Sequence, residues 1–174
     1  PAVRMAQIDG LRHVVHVGSF TKLIGPPTRL GFIAAEAALI LQLVERKVLS
    51  VCTGSALLET IVSEALDSGR YRRHCERTRT RLARMRRDAR TALESAGVAF
   101  ADTAGEGIFL WGRVPESVEM DELVRHASEK SILLAKGALF SPVQGSTSWL
   151  RFNAAHSSAP ELVRFLGNAV REAA

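Results

Sequence analysis

The longest regular pattern in the sequence lies between Tyr71 and Ala96, where apolar or small side chains recur every three or four residues. The positions are Tyr71, Cys75, Thr78, Leu82, Met85, Ala89, Ala92 and Ala96. Side chains with this spacing share one face of an α-helix, so the segment predicts one long helix with a single packed face. Gly97 follows directly and is expected to end it.

Short apolar segments on both sides of this helix predict an α/β fold. Before it we expect strands at 13–17 and 29–34 and helices at 35–49 and 53–66, with Thr53 or Ser55 as the cap of the second helix and Gly69 as its end. After it we expect strands at 98–101, 107–111, 132–135 and 149–152, a turn at Gly105, and helices at 120–128 and 159–172. The later alternation predicts a sheet with helices on one face.

Composition limits the class of protein. Of 174 residues, 47% are hydrophobic and 24% are charged, which is ordinary for a globular domain. No apolar run approaches the ~20 residues needed to cross a bilayer. The two cysteines are far apart and the five histidines do not cluster, so we predict buried free thiols, a cytoplasmic location and no metal site. Because the chain opens on Pro1 without Met and soon reaches a strand, we expect a piece of a longer polypeptide.

One segment carries residues suited to a specific chemistry. A strand leads into Gly18-Ser19-Phe20-Thr21-Lys22, and a Gly-Pro-Pro corner then precedes Arg29. Lysine is the side chain that forms an imine with an aldehyde. Hydroxyl groups, backbone N–H groups and a fixed arginine are the usual donors to a phosphate monoester. An aldehyde and a phosphate on one ring describe pyridoxal 5'-phosphate (PLP), although a lysine in a polar turn is more often simply solvated.

The segment resembles the cofactor-lysine segment of fold-type I, class I/II aminotransferases. It is most similar to the aminotransferase-like domain of MocR-type regulators in the GntR superfamily. Three further stretches match that family in order: Gly69–His74 with its arginine-rich continuation, Gly107–Trp111, and Leu150–Ala155. The resemblance therefore covers nearly the whole chain. It implies a remnant of the large-domain sheet in residues 1–70, followed in 71–174 by a long interdomain helix and a small C-terminal α/β domain.

The resemblance also assigns roles to individual residues. It implies that Lys22 is the catalytic residue and binds the cofactor covalently, and that Ser19 and Arg29 hold its phosphate, with Thr21 as a weaker candidate. Arg151 would bind the α-carboxylate of an amino acid or related amino compound. The resemblance further implies a homodimer, and DNA binding only through a separate N-terminal domain of the parent protein. No membrane partner is expected.

Part of the family's cofactor site has no counterpart in the sequence. The aspartate that pairs with the pyridine nitrogen, the stacking aromatic residue and the contacts to the ring hydroxyl lie upstream of the lysine in that family. Only twenty-one residues precede Lys22, and Asp9 is too near it in sequence to match. We therefore expect half of a site and no independent catalysis. The strands at 13–17 and 30–34, without the rest of a large sheet, are expected to associate with another chain or to rearrange.

Two other functions stay open. The net charge is +5, and most of the excess comes from arginines between Arg70 and Arg90, so a nucleic-acid-binding helix is the first alternative. These arginines surround an apolar stripe without aromatic interleaving, which favours an exposed interdomain helix instead. The second alternative is a ligand-sensing or oligomerisation module without turnover. The sequence does not separate it from an enzyme, because the same lysine would serve both.

Overall fold

The computed structural model describes residues 4–100, 107–143, 145 and 147–173, and its strands form two antiparallel sheets. The chain divides into two compact units, Pro1–Glu76 and Arg77–Ala174. Along the described residues, no helix has both the length and the apolar character needed to span a bilayer. Both cysteines are free, but the prediction that they are buried was wrong, since Cys52 is exposed and Cys75 is only partly buried.

The first unit is built around a two-stranded sheet. Strand β1 (His16–Ser19) pairs with β2 (Gly31–Ala34), so that Ser19 lies opposite Gly31. A short helix, α1 (Met5–Asp9), precedes β1, and α2 (Ala37–Val51) and α3 (Ala56–Asp67) follow β2. Ser55 caps α3 by accepting a hydrogen bond from the Leu58 N–H group, as one of the two predicted alternatives required.

The first strand was predicted at 13–17, but β1 begins three residues later. The reason is Asp9, whose carboxylate accepts hydrogen bonds from the N–H groups of His13 and Val14 at 2.6 and 3.0 Å. These two amides are therefore committed to a loop and are not available to a strand ladder. The same bonds, chiefly that from His13, lower the pKa of the Asp9 carboxyl below its usual value.

The two strands that we expected to be unpaired pair with each other. A two-stranded ribbon still has two outer edges, and no other strand covers them among the described residues. Helices α2 and α3 also expose large apolar side chains to at least half of their full area, namely Leu41, Val44, Val48, Leu49, Val51, Leu57 and Ile61. Apolar surface of this kind is usually covered by another protein surface, so association stays a prediction.

Helix α4 (Arg70–Ser95) agrees with the predicted long helix to within one residue at each end. None of the stripe residues is exposed, and Ala89 and Leu93 are fully buried. Its arginines point mostly to solvent: Arg72 and Arg90 pair with Glu76 and Glu94 at 3.1 and 2.8 Å. These contacts are those of an exposed helix, as the apolar stripe indicated.

The second unit contains a four-stranded antiparallel sheet in the order β3-β4-β6-β5. The strands are β3 (Ala99–Phe100), β4 (Phe109–Arg113), β5 (Ala135–Lys136) and β6 (Trp149–Asn153). Burial alternates along β4 and β6, and their inner side chains join α4, α5 (Met120–Glu129) and α6 (Pro160–Glu172) in one core. The prediction of a sheet with helices on one face is confirmed.

Two strand predictions in this unit were displaced. The segment 132–135 contributes only Ala135 to a strand, because the Ile132 N–H group donates to the Ala127 carbonyl and closes the end of α5. Strand β4 begins at Phe109 and not at Gly107, whose φ of 104° lies outside the strand region. The predicted turn at Gly105 and the strand end at Ala101 lie outside the described residues.

The core of the second unit depends on Leu93, which is 0% exposed. We expect Leu93→Ala to lower the free energy of unfolding by about 2–5 kcal/mol, because it removes buried methyl groups and leaves a cavity. The matched control is Leu133→Ala, since Leu133 is 97% exposed and its truncation should have little effect. Urea-induced unfolding followed by circular dichroism measures both, and equal midpoints for the two variants would contradict the proposed core.

Candidate functional site

The turn that carries Lys22 is fixed by the residue two positions before it. The Phe20 side chain is buried, and its ring lies 5.5 Å from the Phe32 ring and 5.6 Å from the Tyr71 ring. The Phe20 N–H group donates to the Leu30 carbonyl at 2.9 Å, and the N–H groups of Leu23 and Ile24 both donate to the Phe20 carbonyl. Because Phe20 faces inward in this tight turn, Lys22 faces outward and is exposed.

Arg29 is set by the corner that precedes β2. Pro26–Thr28 form one turn of 3-10 helix, closed by a hydrogen bond from the Thr28 N–H group to the Gly25 carbonyl, and Thr28 is buried. Arg29 then adopts a left-handed backbone conformation with φ of 41°. A residue other than glycine in this region is strained, and such strain is concentrated at functional positions.

The register of the two strands brings these residues together. Ser19 lies opposite Gly31, and the Phe20 N–H group donates to the Leu30 carbonyl, so the residues that follow β1 and those that precede β2 start side by side. The structure places both beside a depression of about 280 Å³, which is lined by Ser19, Thr21, Lys22, Arg29, Leu30 and Gly31. All four residues predicted to contact the cofactor therefore line one concave surface.

The chemistry of this lining favours an anion. It contains two cationic side chains and two hydroxyl groups, and none of the lining residues is a carboxylate. The Ser19 oxygen accepts a hydrogen bond from the Thr21 N–H group at 3.2 Å, which leaves the hydroxyl hydrogen of Ser19 free to point at an acceptor. A guanidinium group and a hydroxyl donor suit a phosphate, and a nearby amine suits an aldehyde.

Arg151 lies in the second unit, on the sheet face that does not enter the core. It pairs across the sheet with Trp111 on β4 and Ala135 on β5. Its guanidinium carbon lies 4.1 Å from the ring centroid of Phe109 and 4.1 Å from that of Phe140. Across the described part of the chain, its N–H groups form no hydrogen bond or ion pair with a protein acceptor.

A family model described as "Aminotransferase class I and II" matches residues 2–168, which is nearly the whole chain. The chain belongs to the class I and II aminotransferase family. Its predicted fold class is confirmed as well, because its structural relatives are fold-type I aminotransferases. One is an α-aminoadipate aminotransferase from Thermus thermophilus, solved with N-(5'-phosphopyridoxyl)-L-leucine, at 26% identity over 97% of this chain with a TM-score of 0.76.

Sequence relatives of this aminotransferase-family chain fall into two groups. An uncharacterized HTH-type transcriptional regulator of Bacillus subtilis is 29% identical over 93% of the chain, and a 2-aminoadipate transaminase of Thermus thermophilus is 27% identical over 96%. The chain covers 34% of the first relative and 43% of the second. It therefore spans less than half the length of either protein.

The residues of the depression fit the cofactor of this aminotransferase family, PLP. Lys22 is the residue of the lining that would supply an amine, and Arg29, Ser19 and Thr21 are those that would supply donors to a phosphate. Asp9 does not line the depression; its carboxylate accepts hydrogen bonds from two loop amides and lies 3.1 Å from the His13 ring nitrogen. No cluster of three or more metal-ligating side chains occurs among the described residues.

The sequence did not identify the aromatic residues that hold these groups in place. Phe20 lies within the Gly18–Lys22 segment, but nothing in its sequence position shows that its ring is buried and holds the turn in place. Phe109 is part of the quoted strand motif and was not linked to Arg151. Phe140 follows Gly137 in a turn of 3-10 helix with no periodic pattern, so only its distance from Arg151 in the structure reveals it.

The close pairing of β1 and β2 at the depression requires glycine at position 31. A Cβ atom there would lie 2.6 Å from the Gly18 carbonyl oxygen. We expect Gly31→Ala to destabilise the hairpin by about 1–3 kcal/mol, because the backbone would have to separate. Hydrogen exchange of the Phe20 amide should accelerate. Gly145→Ala, which meets no atom within 4 Å, is the control, and unchanged Phe20 exchange in Gly31→Ala would contradict the register.

Proposed function

We propose that this chain holds PLP through the Lys22 turn and the carboxylate of an amino compound through Arg151. The observation that supports the proposal is the depression itself, which is lined by a lysine, an arginine, a serine and a threonine and by no carboxylate residue. In this reading Ser19 and Arg29 donate to the cofactor phosphate, and Thr21 is a further donor. The anion-binding character of the lining and the family membership of the chain point to the same ligand.

When bound, PLP supplies an electron sink for reactions at the α-carbon of an amino acid. Lys22 would hold PLP through its side-chain amine and, when that amine is free, would act as the base that moves the α-proton. Arg29 and Ser19 fix the phosphate and so fix the position of the ring relative to Lys22. Arg151 presents paired N–H donors to a carboxylate, which orients the amino compound. The carboxylate partner of the ring nitrogen is expected from a part of the full-length protein outside this chain.

The full-length protein either converts the amino compound into a product or binds it as a regulatory signal. Similarity to a 2-aminoadipate transaminase supports turnover, and similarity to HTH-type transcriptional regulators supports a sensing domain joined to a separate DNA-binding domain. Incubating the full-length protein with PLP, an amino donor and 2-oxoglutarate distinguishes the two. Formation of glutamate establishes an aminotransferase, whereas ligand-dependent binding to DNA without glutamate formation establishes a regulator.

The lysine assignment is tested by absorbance. Adding PLP to the full-length protein should produce a band at the edge of the visible range, because the Lys22 amine forms a conjugated imine with the aldehyde. We expect Lys22→Ala to abolish the band. Lys47→Ala, which removes an exposed lysine from α2 in the same unit, should retain it. A band of equal intensity in Lys22→Ala would refute the assignment.

The phosphate assignment is tested by comparing PLP with pyridoxal, which lacks the phosphate. Arg29→Gln should weaken binding of PLP by about 10- to 100-fold, since hydrogen bonds to a charged group contribute ~1.5–3 kcal/mol. Binding of pyridoxal should change little. Fluorescence titration of the full-length protein measures both affinities, with Arg46→Gln on α2 as the matched control. An equal loss for the two compounds would show that Arg29 supports the fold and does not contact phosphate.

A further inference from the structure

Among the described residues, Arg151 lies closer to aromatic rings than the other cationic side chains that lie over rings, one of which is Lys130 at 5.5 Å from the Phe165 ring. Arg90 lies 5.5 Å from the Phe100 ring and is paired with Glu94, and Arg113 lies 6.0 Å from the Trp149 ring with Glu116 at 3.9 Å. Arg151 has two rings, each at 4.1 Å, and no carboxylate among the described residues.

The two rings limit which atoms of the Arg151 guanidinium group can contact a ligand. The flat faces of a guanidinium group stack on aromatic rings, while its N–H donors lie in its plane and point outward from the edge. With its central carbon 4.1 Å from the centroids of two rings, the group has less freedom to rotate than a guanidinium group in open solvent. Its donors are left for a planar acceptor that meets the edge, which is how a carboxylate binds bidentately.

The two rings are themselves held in place. Phe109 is on β4, which pairs with the Arg151 strand along its full length, and Phe140 ends the 3-10 turn after β5. The Trp111 ring meets the Phe140 ring edge-on at 5.8 Å and stacks on the Trp149 ring at 5.9 Å. Both tryptophans of the chain thus support this face, although aromatic residues make up only 6% of the sequence.

We propose that Phe109 and Phe140 are positioning residues that fix the Arg151 guanidinium edge-on for the carboxylate of the amino compound. This inference rests on the proposed function in assigning the carboxylate to Arg151. It adds that the affinity of Arg151 for a carboxylate depends on the ring pair, and not on charge alone. Loss of either ring frees the guanidinium to turn, so that the same positive charge no longer presents two parallel donors.

The test uses two probes of the same shape that differ in charge. 3-Phenylpropionate carries a carboxylate, 3-phenylpropionamide carries a neutral amide, and neither has an amine that could react with the cofactor. Isothermal titration of the full-length protein loaded with PLP gives the ratio of the two affinities. This ratio isolates the carboxylate contact, because contacts between the protein and the phenyl group of the probes cancel.

We expect Phe140→Leu and Phe109→Leu each to lower the preference for the carboxylate by about tenfold, in line with the strength of desolvated cation–π contacts and bidentate pairs. Phe140→Tyr keeps the ring and should retain the preference. Because the two rings are 41% and 45% exposed, their truncation should leave the thermal unfolding midpoint nearly unchanged. In an Arg151→Gln background, which lacks the guanidinium, Phe140→Leu should have no further effect on the preference.

Three results would overturn the inference: an unchanged preference in both leucine variants, a preference lost equally in Phe140→Tyr, or an effect of Phe140→Leu that persists in the Arg151→Gln background. Failure of the cofactor proposal is separable from these outcomes. A protein without the absorbance band that still distinguishes carboxylate from amide, and loses this preference in Phe140→Leu, refutes the role of Lys22 and supports the ring pair. Conversely, a protein that shows the band, and whose preference for the carboxylate is unchanged in both leucine variants, supports the role of Lys22 and refutes that of the ring pair.

Discussion

The antiparallel register between β1 and β2 is the constraint on which the candidate cofactor site depends. Lys22 and Arg29 are seven residues apart in sequence and lie on opposite arms of one hairpin. They line the same depression because Ser19 pairs with Gly31 and the connection between them folds back through a proline corner. A shift of one residue would send the side chains to opposite faces. The close approach of the backbone at Gly18 and Gly31 restricts such a shift, since a Cβ at either position would collide with the other arm.

In the second unit, the alternation of side chains along the strands brings the candidate residues together. Its sheet uses one face to close a core with three helices, and this leaves the other face to carry both tryptophans, Phe109 and Arg151. The strict alternation along β4 and β6 is therefore the reason that a cation and several rings share one surface. Apolar side chains on the outer face of a small sheet are unfavourable in water, and their presence here agrees with a surface meant for a ligand or a second protein surface.

Much of the fold could be predicted because its strongest patterns are local. The stripe along α4 extends over many turns, so its ends were located within one residue, and Ser55 was one of the two predicted caps of α3. The strand ends were predicted less well, since they depend on bonds between residues whose pairing the sequence does not show. Asp9 withdraws the amides of His13 and Val14 from β1, and the end of α5 withdraws the amide of Ile132 from β5.

The candidate site also combines residues that are close in the sequence, which could be predicted, with residues that are far apart, which could not. The lysine, the hydroxyls and Arg29 follow one another in a short motif, and this order alone was enough to suggest a phosphate and an aldehyde. The residues that support them come from distant parts of the chain, such as Tyr71 beside Phe20 and Phe140 beside Arg151. These supporting residues can be identified only from distances between side chains in the structure, because no repeating pattern in the sequence marks them.

The left-handed backbone at Arg29 has a consequence for how quickly and how tightly an anion can be captured. A loop that must order itself around a ligand loses conformational entropy at the moment of binding, which reduces affinity. Here the unfavourable backbone angle is adopted during folding, when the proline corner and the hairpin together compensate for its energy. The backbone of Arg29 is then already in place beside the depression, so an anion bound there would require less ordering of this loop.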